Sequence, residues 1–466
     1  MTMTYPIYFY SAAHSAMLKQ LISFHTLPLS NIKALSNSRF EDKYLDLMSS
    51  NYEMSVTEPF IDSIASLNSV LKDAEKEASR TFGTDSTLFI CSGSTVSNQI
   101  AVAASCSSES RIIIQKGLHQ SFHFTINSTQ VKKKTYIDDI EIDETTGKTS
   151  LNVKAMLDEI ICAEENGNGY DVAIINSQTY EGIQQKLDEI LPLLLKHGPS
   201  LKKIIIDEAW GAWSNFSTSL SRHCAIDAAK NLRNKYEVDF VVTHSAHKSL
   251  FACRQASYLH CIGGEEAIEK LKQMRYRLHT TSPNYRHLTS LDLAQCHARI
   301  EGRMFSDRAE ANARLLKKLV KEKLTSFSVI SSPKADSIAQ QNYATSDETK
   351  VWLNISELNI AGRRLREVLY KEHNIYISRY TESCALFNIH FGITQENVIT
   401  LIRALQNVEE KNKWCIGQLR EDTISKYFVV PYPPGVPIVV PGERISKVRL
   451  QKIKKCIASG ASMKLL

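Results

Sequence analysis

The 466-residue chain has no CxxC pair, and its ten cysteines are scattered, with no Cys/His cluster at zinc-like spacing. Those absences argue against a disulfide framework or a structural zinc site, and they read as reduced thiols in a cytosolic protein. At the N-terminus, MTMTYPIYFYSAAHSAM, no basic stretch runs into an apolar one, so no secretory signal is expected. Nowhere do about 18 apolar residues follow one another, so no transmembrane helix is expected either. The dinucleotide pattern GxGxxG and the P-loop pattern GxxxxGK are both missing, and no internal repeat or low-complexity tract is visible. Excess charge is also lacking: a formal +6 over this length is too mild to argue for nucleic acid. The basic runs at 132–134 and 444–455 read as solvated faces.

What is present is the composition of an ordinary globular protein, 43% hydrophobic and 23% charged, long enough for two or three domains. From about residue 85, short apolar runs alternate with helical stretches. TLFIC (87–91), RIIIQ (111–115), VAIIN (172–176), KKIIID (202–207), DFVVT (239–243) and ASYLH (256–260) predict strands. Such near-continuous apolar runs are how strands buried on both faces of a parallel sheet look. Periodic segments at 151–164 and 185–196 separate them, which predicts an open α/β layer fold. A long helix is expected over about 284–322. Beyond it, VWLNI, GRRLREVLYKEH, NIYIS, ALFNIHF and QENVITLIRALQNV predict a small α+β domain. The segment 428–443, FVVPYPPGVPIVVPGE, carries too many prolines for a helix or a central strand and must be an extended, turning strand-loop.

Ligands of open α/β sheets bind outside the carboxyl ends of the strands, so the residues just after each strand carry the information. Lys248 follows the run at 238–242. A lysine at the mouth of a buried strand either snorkels to solvent or must be neutralised, and a Schiff base with an aldehyde cofactor neutralises it. After the first run comes SGSTVSNQ (92–99), where Gly93 permits a tight turn. Ser94, Thr95 and the N–H groups that follow, including that of Val96, could cap a helix or donate to a single phosphate. His119 follows the second run and is either a structural histidine or a ring that stacks on a cofactor and moves a proton. Asp207 closes the run at 202–206, as a cap of the next helix or as the partner of a protonated pyridine nitrogen. Ala209 is small enough to let a flat ring lie close. A phosphate cup, a ring stack, a pyridinium partner and an imine are together the requirements of pyridoxal 5′-phosphate.

These motifs resemble those of the Orn/Lys/Arg (basic amino acid) decarboxylase family of fold type I pyridoxal-phosphate enzymes, in its short form without a wing domain. SGSTVSN resembles the family's NGTSTSN phosphate loop, HQSFH resembles HKSHH, DEAWGAW resembles DEAHGAH and the DSAW variant, and THSAHK resembles QSTHK. The resemblance implies a large domain with a mainly parallel seven-stranded sheet plus a small α+β domain. It implies that Ser94, Thr95, Val96 and Ser245 serve the phosphate, that His119, Asp207, Ala209 and Trp210 surround the ring, and that His247 lies beside the Lys248 imine. NSQTYEG resembles NPTYYG and implies Thr179 near the ring. HTTSPNYRHLTSLDLA resembles the segment that reaches a neighbouring subunit's cofactor, implying a homodimer whose site includes Thr281 and Ser282. YPPGVPIVVPGE is close to YPPGIP…PGE, whose glutamate, here Glu443, implies a substrate contact.

Some positions depart from the family pattern. PGHK stands as AAHS (12–15), keeping only His14 as a candidate substrate contact. EMSVTEPFIDS (53–63) replaces an acidic stretch, and Glu181 and Trp210 stand where many members have other residues. The expected organisation is an N-terminal segment over 1–84, a cofactor-binding domain over 85–315 and a small domain over 316–466. The expected activity is α-decarboxylation of an amino acid with a cationic side chain, in the cytoplasm. Transamination, oxidation or β/γ-elimination on the same cofactor residues is the alternative. A non-catalytic regulator on the same scaffold is a second one.

Overall fold

The computed structural model describes residues 8–54, 69–330, 343–358, 360–417, 419, 421–432, 435–458 and 462–465. Seven strands form the central sheet: β1 (Ser86–Ile90), β2 (Arg111–Gln115), β3 (Lys133–Ile137), β4 (Val172–Asn176), β5 (Lys203–Asp207), β6 (Asp239–His244) and β7 (Ser257–Ile262). They lie in the order β1-β7-β6-β5-β4-β2-β3. The pairs β6–β5, β5–β4, β4–β2 and β2–β3 are parallel, whereas β7 runs antiparallel to both of its neighbours. Six strands match the apolar runs of the sequence. The seventh, β3, alternates in burial because it is an edge strand, and two lysines of the basic run at 132–134 open it.

Alternation along each strand divides the core into two layers. Ile112, Ile114, Ile174, Ile205, Val241 and Leu259 pack on one face of the sheet. Ile113, Ile175, Ile204, Ile206, Phe240 and Val242 pack on the other. Helix α1 (Val70–Phe82) covers the second face. It starts at Ser69, whose hydroxyl accepts from the Lys72 N–H, and stops at Gly83, whose φ of 73° closes the last turn. Helix α2 (Gly93–Ser105) follows β1 on the opposite face and packs against β7 and β5.

A 39-residue helix, α3 (Tyr285–Lys323), leaves this lobe. Its residues from Leu291 to Ala309 belong to the large core, and those from Ala313 to Val320 belong to a second core. That second core is built on an antiparallel sheet of β8 (Ser328–Val329), β9 (Lys350–Asn354) and β10 (Cys384–Asn388), with helices Gly362–His373 and Gln395–Gly417. The expected strand NIYIS contributes only Ile375–Tyr376, which pairs in parallel with Ile22–Ser23 of the N-terminal segment. The N-terminal segment therefore divides its packing: Phe24 joins the small core while Leu29, Leu35, Tyr44 and Leu47 join the large one. The proline-rich segment is extended, as expected, with Val429–Tyr432 paired antiparallel to Ser462–Leu465. Pro433 and Pro434 lie outside the described residues. Among the described residues no helix is long and apolar enough to cross a membrane.

Candidate active site

The carboxyl ends of β1, β2, β4, β5 and β6 bring the candidate residues to one place. Asp207 is the last residue of β5 and is almost fully buried; the Ala209 N–H donates to its Oδ1 at 3.1 Å. Burial pushes its pKa up, and the nearby Lys248 and His119 work against that rise. Lys248 sits on the single helical turn Ala246–Ser249, immediately after β6. Its Nζ lies over the Trp210 ring, 4.5 Å from the centroid. Burial lowers its pKa, and Asp207 opposes the change.

Two histidines flank this pair with opposite tautomers. His119 caps the helix Gln120–Thr129, its Nδ1 accepting from the Ser121 N–H, so the neutral ring carries its proton on Nε2. Its pKa is lowered mainly by burial; Asp207 raises it and Lys248 lowers it. His247 holds its Nδ1 proton against the Ala256 carbonyl oxygen at 3.0 Å, which leaves Nε2 as a base. Burial brings its pKa down to about 4.

The turn after β1 opens the helix α2. Gly93 has φ 81° and donates its N–H to the Gln255 carbonyl at 2.7 Å, tying the turn to the loop that follows Lys248. The N-cap residue of α2, Ser92, makes no side-chain capping bond. The first-turn N–H groups at Ser94, Thr95 and Val96 thus lack the usual side-chain acceptor.

A wall of aromatic and cationic groups closes the other side. Tyr180 packs on Trp210 at 4.7 Å between centroids, and His25 lies 5.7 Å from Tyr180 and 6.1 Å from Trp210. His25 Nδ1 meets Ser378 Oγ at 2.9 Å, and its pKa falls to about 4 through burial and the charges of Lys248, Arg254, Arg366 and Lys350. Lys350 is buried against Asp347 at 3.1 Å, with its Nζ 5.8 Å from the Trp210 centroid. Asp347 is fully engaged: Thr349 and Gln178 donate to it as well. Lys248 and Lys350 line one small cleft between the lobes, with Trp210, Trp213, Asn388 and His390.

Several expected residues are held elsewhere. The Thr179 hydroxyl accepts from the Ile183 N–H at 3.1 Å inside its own turn. Thr281 and Ser282 are exposed. Glu443 pairs with Arg449 and accepts from the Val440 N–H, all within the C-terminal segment. His14 is exposed on the helix Tyr8–Leu18, stacked on Tyr10. The N-terminal histidine that reaches the site is His25, which sequence reasoning missed together with Lys350 and Tyr180. Tyr180 lies inside the quoted NSQTYEG motif, and Lys350 follows Asp347 by three residues, but His25 has no local signal. Of the segment 53–63, residues from 55 onward lie outside the described residues.

The arrangement fits pyridoxal 5′-phosphate. Asp207 is a buried carboxylate with a single backbone donor and no direct ion pair, which is the acceptor a pyridinium N–H needs. Lys248 is an amine whose charge burial disfavours, as a nucleophile toward an aldehyde requires. The open helix start supplies donors for a phosphate.

Comparison with known proteins points the same way. Residues 36–363 match the family profile described as Orn/Lys/Arg decarboxylase, major domain, and residues 394–457 match the one described as its C-terminal domain. An arginine decarboxylase of Bacillus anthracis is 24% identical over 434 residues, covering 86% of this chain and 83% of that protein. The lysine decarboxylase LdcA of Pseudomonas aeruginosa is 26% identical over 264 residues, 54% of this chain and 33% of that one. Among solved structures, the lysine decarboxylase LdcF of Francisella novicida superposes with a TM-score of 0.66 at 17% identity, over 93% of this chain and 75% of that chain.

Proposed function

The chain belongs to the Orn/Lys/Arg decarboxylase family, and from that premise we propose that it is a pyridoxal-phosphate-dependent decarboxylase of a basic amino acid: lysine, arginine or ornithine. The observation that carries the proposal is the convergence of Lys248, Asp207 and His119, which follow β6, β5 and β2, beside an uncapped helix start. The relatives named above, arginine and lysine decarboxylases, support the substrate class.

In this reading Lys248 provides the amine that attaches the cofactor and gives way to the substrate amine. Ser94, Thr95, Val96 and Ser245 hold the phosphate, and His119 stacks on the ring. Ala209 and Trp210 line it, Thr179 lies at its edge, and Asp207 keeps its nitrogen protonated. When bound, the cofactor supplies the sink for the electron pair left at the substrate Cα as carbon dioxide departs. Lys248 or His247 would then supply the proton that reaches Cα. The Trp210–Tyr180–His25 wall would bound one side of the space that the substrate occupies.

We propose further that the enzyme is a cytoplasmic homodimer. The exposed Thr281 and Ser282 would complete the neighbouring site, and Glu443 would leave Arg449 to meet the distal cation of the substrate. His14 would join the pocket only through such an assembly. The change of core along α3 between Ala309 and Ala313 supports the proposed division near 315/316; the one at 84/85 has no such support, because Leu71, Ala78 and Phe82 pack in the same core as the sheet.

Product analysis with lysine, arginine and ornithine tests the activity. Carbon dioxide and the matching amine are expected in equal amounts, and Lys248→Ala is expected to abolish both. A keto acid, ammonia or peroxide in their place would assign a different reaction to the same cofactor residues. An unaltered rate in Lys248→Ala would sink the reading.

A further inference from the structure

Behind Asp207 and Lys248, on the side of the sheet that α1 covers, runs a chain of buried polar side chains that the proposed chemistry does not use. Glu208, the residue after Asp207, accepts on Oε1 from the Ser177 hydroxyl at 2.6 Å and the Ala225 N–H at 2.9 Å. Its Oε2 meets His244 Nε2 at 2.8 Å. His244 Nδ1 meets His260 Nε2 at 3.0 Å, and His260 Nδ1 meets Thr87 Oγ1 at 2.8 Å. Glu208, His244, His260, Thr87 and Ser177 have no exposed surface at all. Phe82 of α1 seals the row, its ring 4.8 Å from His260 and 5.6 Å from His244.

The direction of every bond in this row follows from its end. With Glu208 accepting at the end of the row, His244 donates from Nε2, and its neutral tautomer then accepts at Nδ1. His260 then donates from Nε2 and accepts the Thr87 proton at Nδ1. Burial drives the pKa of His260 far down, which keeps that ring neutral, with one nitrogen to donate and one to accept. One tautomer order thus satisfies the row from β1 through β7 and β6 to β5.

His244 is the junction. Its side chain grips Glu208, one residue from Asp207, and it lies four residues before Lys248 on the same chain. Its carbonyl accepts from the Ser257 hydroxyl at 2.7 Å, and Ser257 in turn accepts from Ser97 at 2.8 Å. Ser97 belongs to the first turns of α2, whose start is the Gly93–Val96 turn. One buried residue therefore connects all three segments that would meet the cofactor.

We infer that His244 is a positioning residue: it sets the register of Asp207, of Lys248 and of the Gly93–Val96 turn relative to one another. The inference rests on the cofactor reading above for its meaning, but its geometry can be tested without it. The experiment compares the full-length wild type with His244→Gln and His244→Leu. Glutamine can donate to Glu208 and accept from His260, and it is the residue that stands there in the motif QSTHK; leucine can do neither.

Hydrogen–deuterium exchange on the cofactor-free proteins reads the segments 205–210 and 243–249 together with 93–98. His244→Leu is expected to speed exchange at least tenfold in all three, with His244→Gln within threefold of wild type. On the cofactor-loaded proteins, His244→Leu is expected to lower kcat at least tenfold with KM within twofold. It should also displace the pH at which the cofactor absorbance changes, and His244→Gln should restore both. Unchanged exchange in the three segments of His244→Leu would overturn the inference. So would a loss of melting temperature with no change in the absorbance titration, because that is what a structural role alone would give. If borohydride fails to fix the cofactor to Lys248 in the wild type, the cofactor reading fails, and the exchange experiment still decides the positioning role.

Discussion

Lys248 meets the face of Trp210 and no carboxylate: its Nζ stands 4.5 Å from the ring centroid. A buried ammonium so placed draws roughly 1–2 kcal/mol from the ring quadrupole. The contact favours the charged form and so works against burial, which lowers the pKa of this amine. Replacing Trp210 with leucine is expected to move the pH dependence of cofactor attachment downward by about one unit, the equivalent of about 1.4 kcal/mol. Trp210→Phe should fall between the two. Rates of attachment measured from pH 6 to 10 report this directly, and coincident profiles for leucine and tryptophan would remove the ring from the account.

Asp207 is expected to separate stability from chemistry. Burial raises its pKa, so in the cofactor-free protein its share of stability is present below the ordinary carboxylate range and is lost as pH rises through it. Asp207→Asn should therefore melt no lower than wild type at pH 7.5 without cofactor, and the difference should vanish as pH falls toward 4. With cofactor, turnover should drop at least a hundredfold while borohydride still fixes the cofactor to Lys248. Loss of that fixation would mean that Asp207 acts on attachment instead.

Acid should destabilise the fold early. His25, His247 and His297 are brought to about 4, and His390 to about 3, chiefly by burial. Above pH 6.5 these rings are neutral in both folded and unfolded chains. As pH falls below 6.5 the unfolded chain takes up protons first, so stability declines by up to about 1.4 kcal/mol per pH unit for each ring. Asp139, pushed up to about 6 by burial, opposes this between pH 6 and the ordinary aspartate range, as do the raised Asp207 and Asp227, but the lowered histidines, His119 and His260 among them, outnumber these carboxyls. Melting temperatures between pH 5 and 7.5 should fall steeply on the acid side; a flat profile would contradict the assignment.

Gly182 cannot take a side chain. Its φ is +96°, and an added Cβ would stand 2.6 Å from Lys350 Cβ and 2.7 Å from its Cγ. The turn it closes presents Tyr180 to Trp210. Gly182→Ala is expected to cost about 2–5 kcal/mol from backbone strain and overpacking combined. Gly167→Ala, also at positive φ but with nothing within 4 Å, should cost only about 1 kcal/mol. Thermal melts of the pair separate the clash from the backbone term.

How far the chain could be read in advance depended on how local each signal was. Buried parallel strands announce themselves as apolar runs, and Asp207, His119 and Lys248 sit where such runs end, so a linear reading finds them. The edge strand β3 hides because half of it faces solvent and its first residues are lysines. His25 hides for another reason: it reaches Trp210 through the pairing of Ile22–Ser23 with Ile375–Tyr376, a contact between segments some 350 residues apart that no local pattern encodes. The Glu208–His244–His260 row is likewise assembled from three strands; Glu208 and His244 lie inside the DEAWGAW and THSAHK motifs, but nothing local in either motif shows that they meet each other or His260.

Helix α3 has a mechanical consequence. At 1.5 Å per residue its 39 residues make a rod about 58 Å long, with no break where the core changes from one lobe to the other. Arg308 and Asn312, at that crossing, donate to the carbonyls of Phe391 and Ile393 in the small lobe. The two lobes are thus mounted on a common axle instead of a hinge. Lys248 from one lobe and Lys350 from the other both face Trp210, with Nζ 4.5 Å and 5.8 Å from its ring centroid.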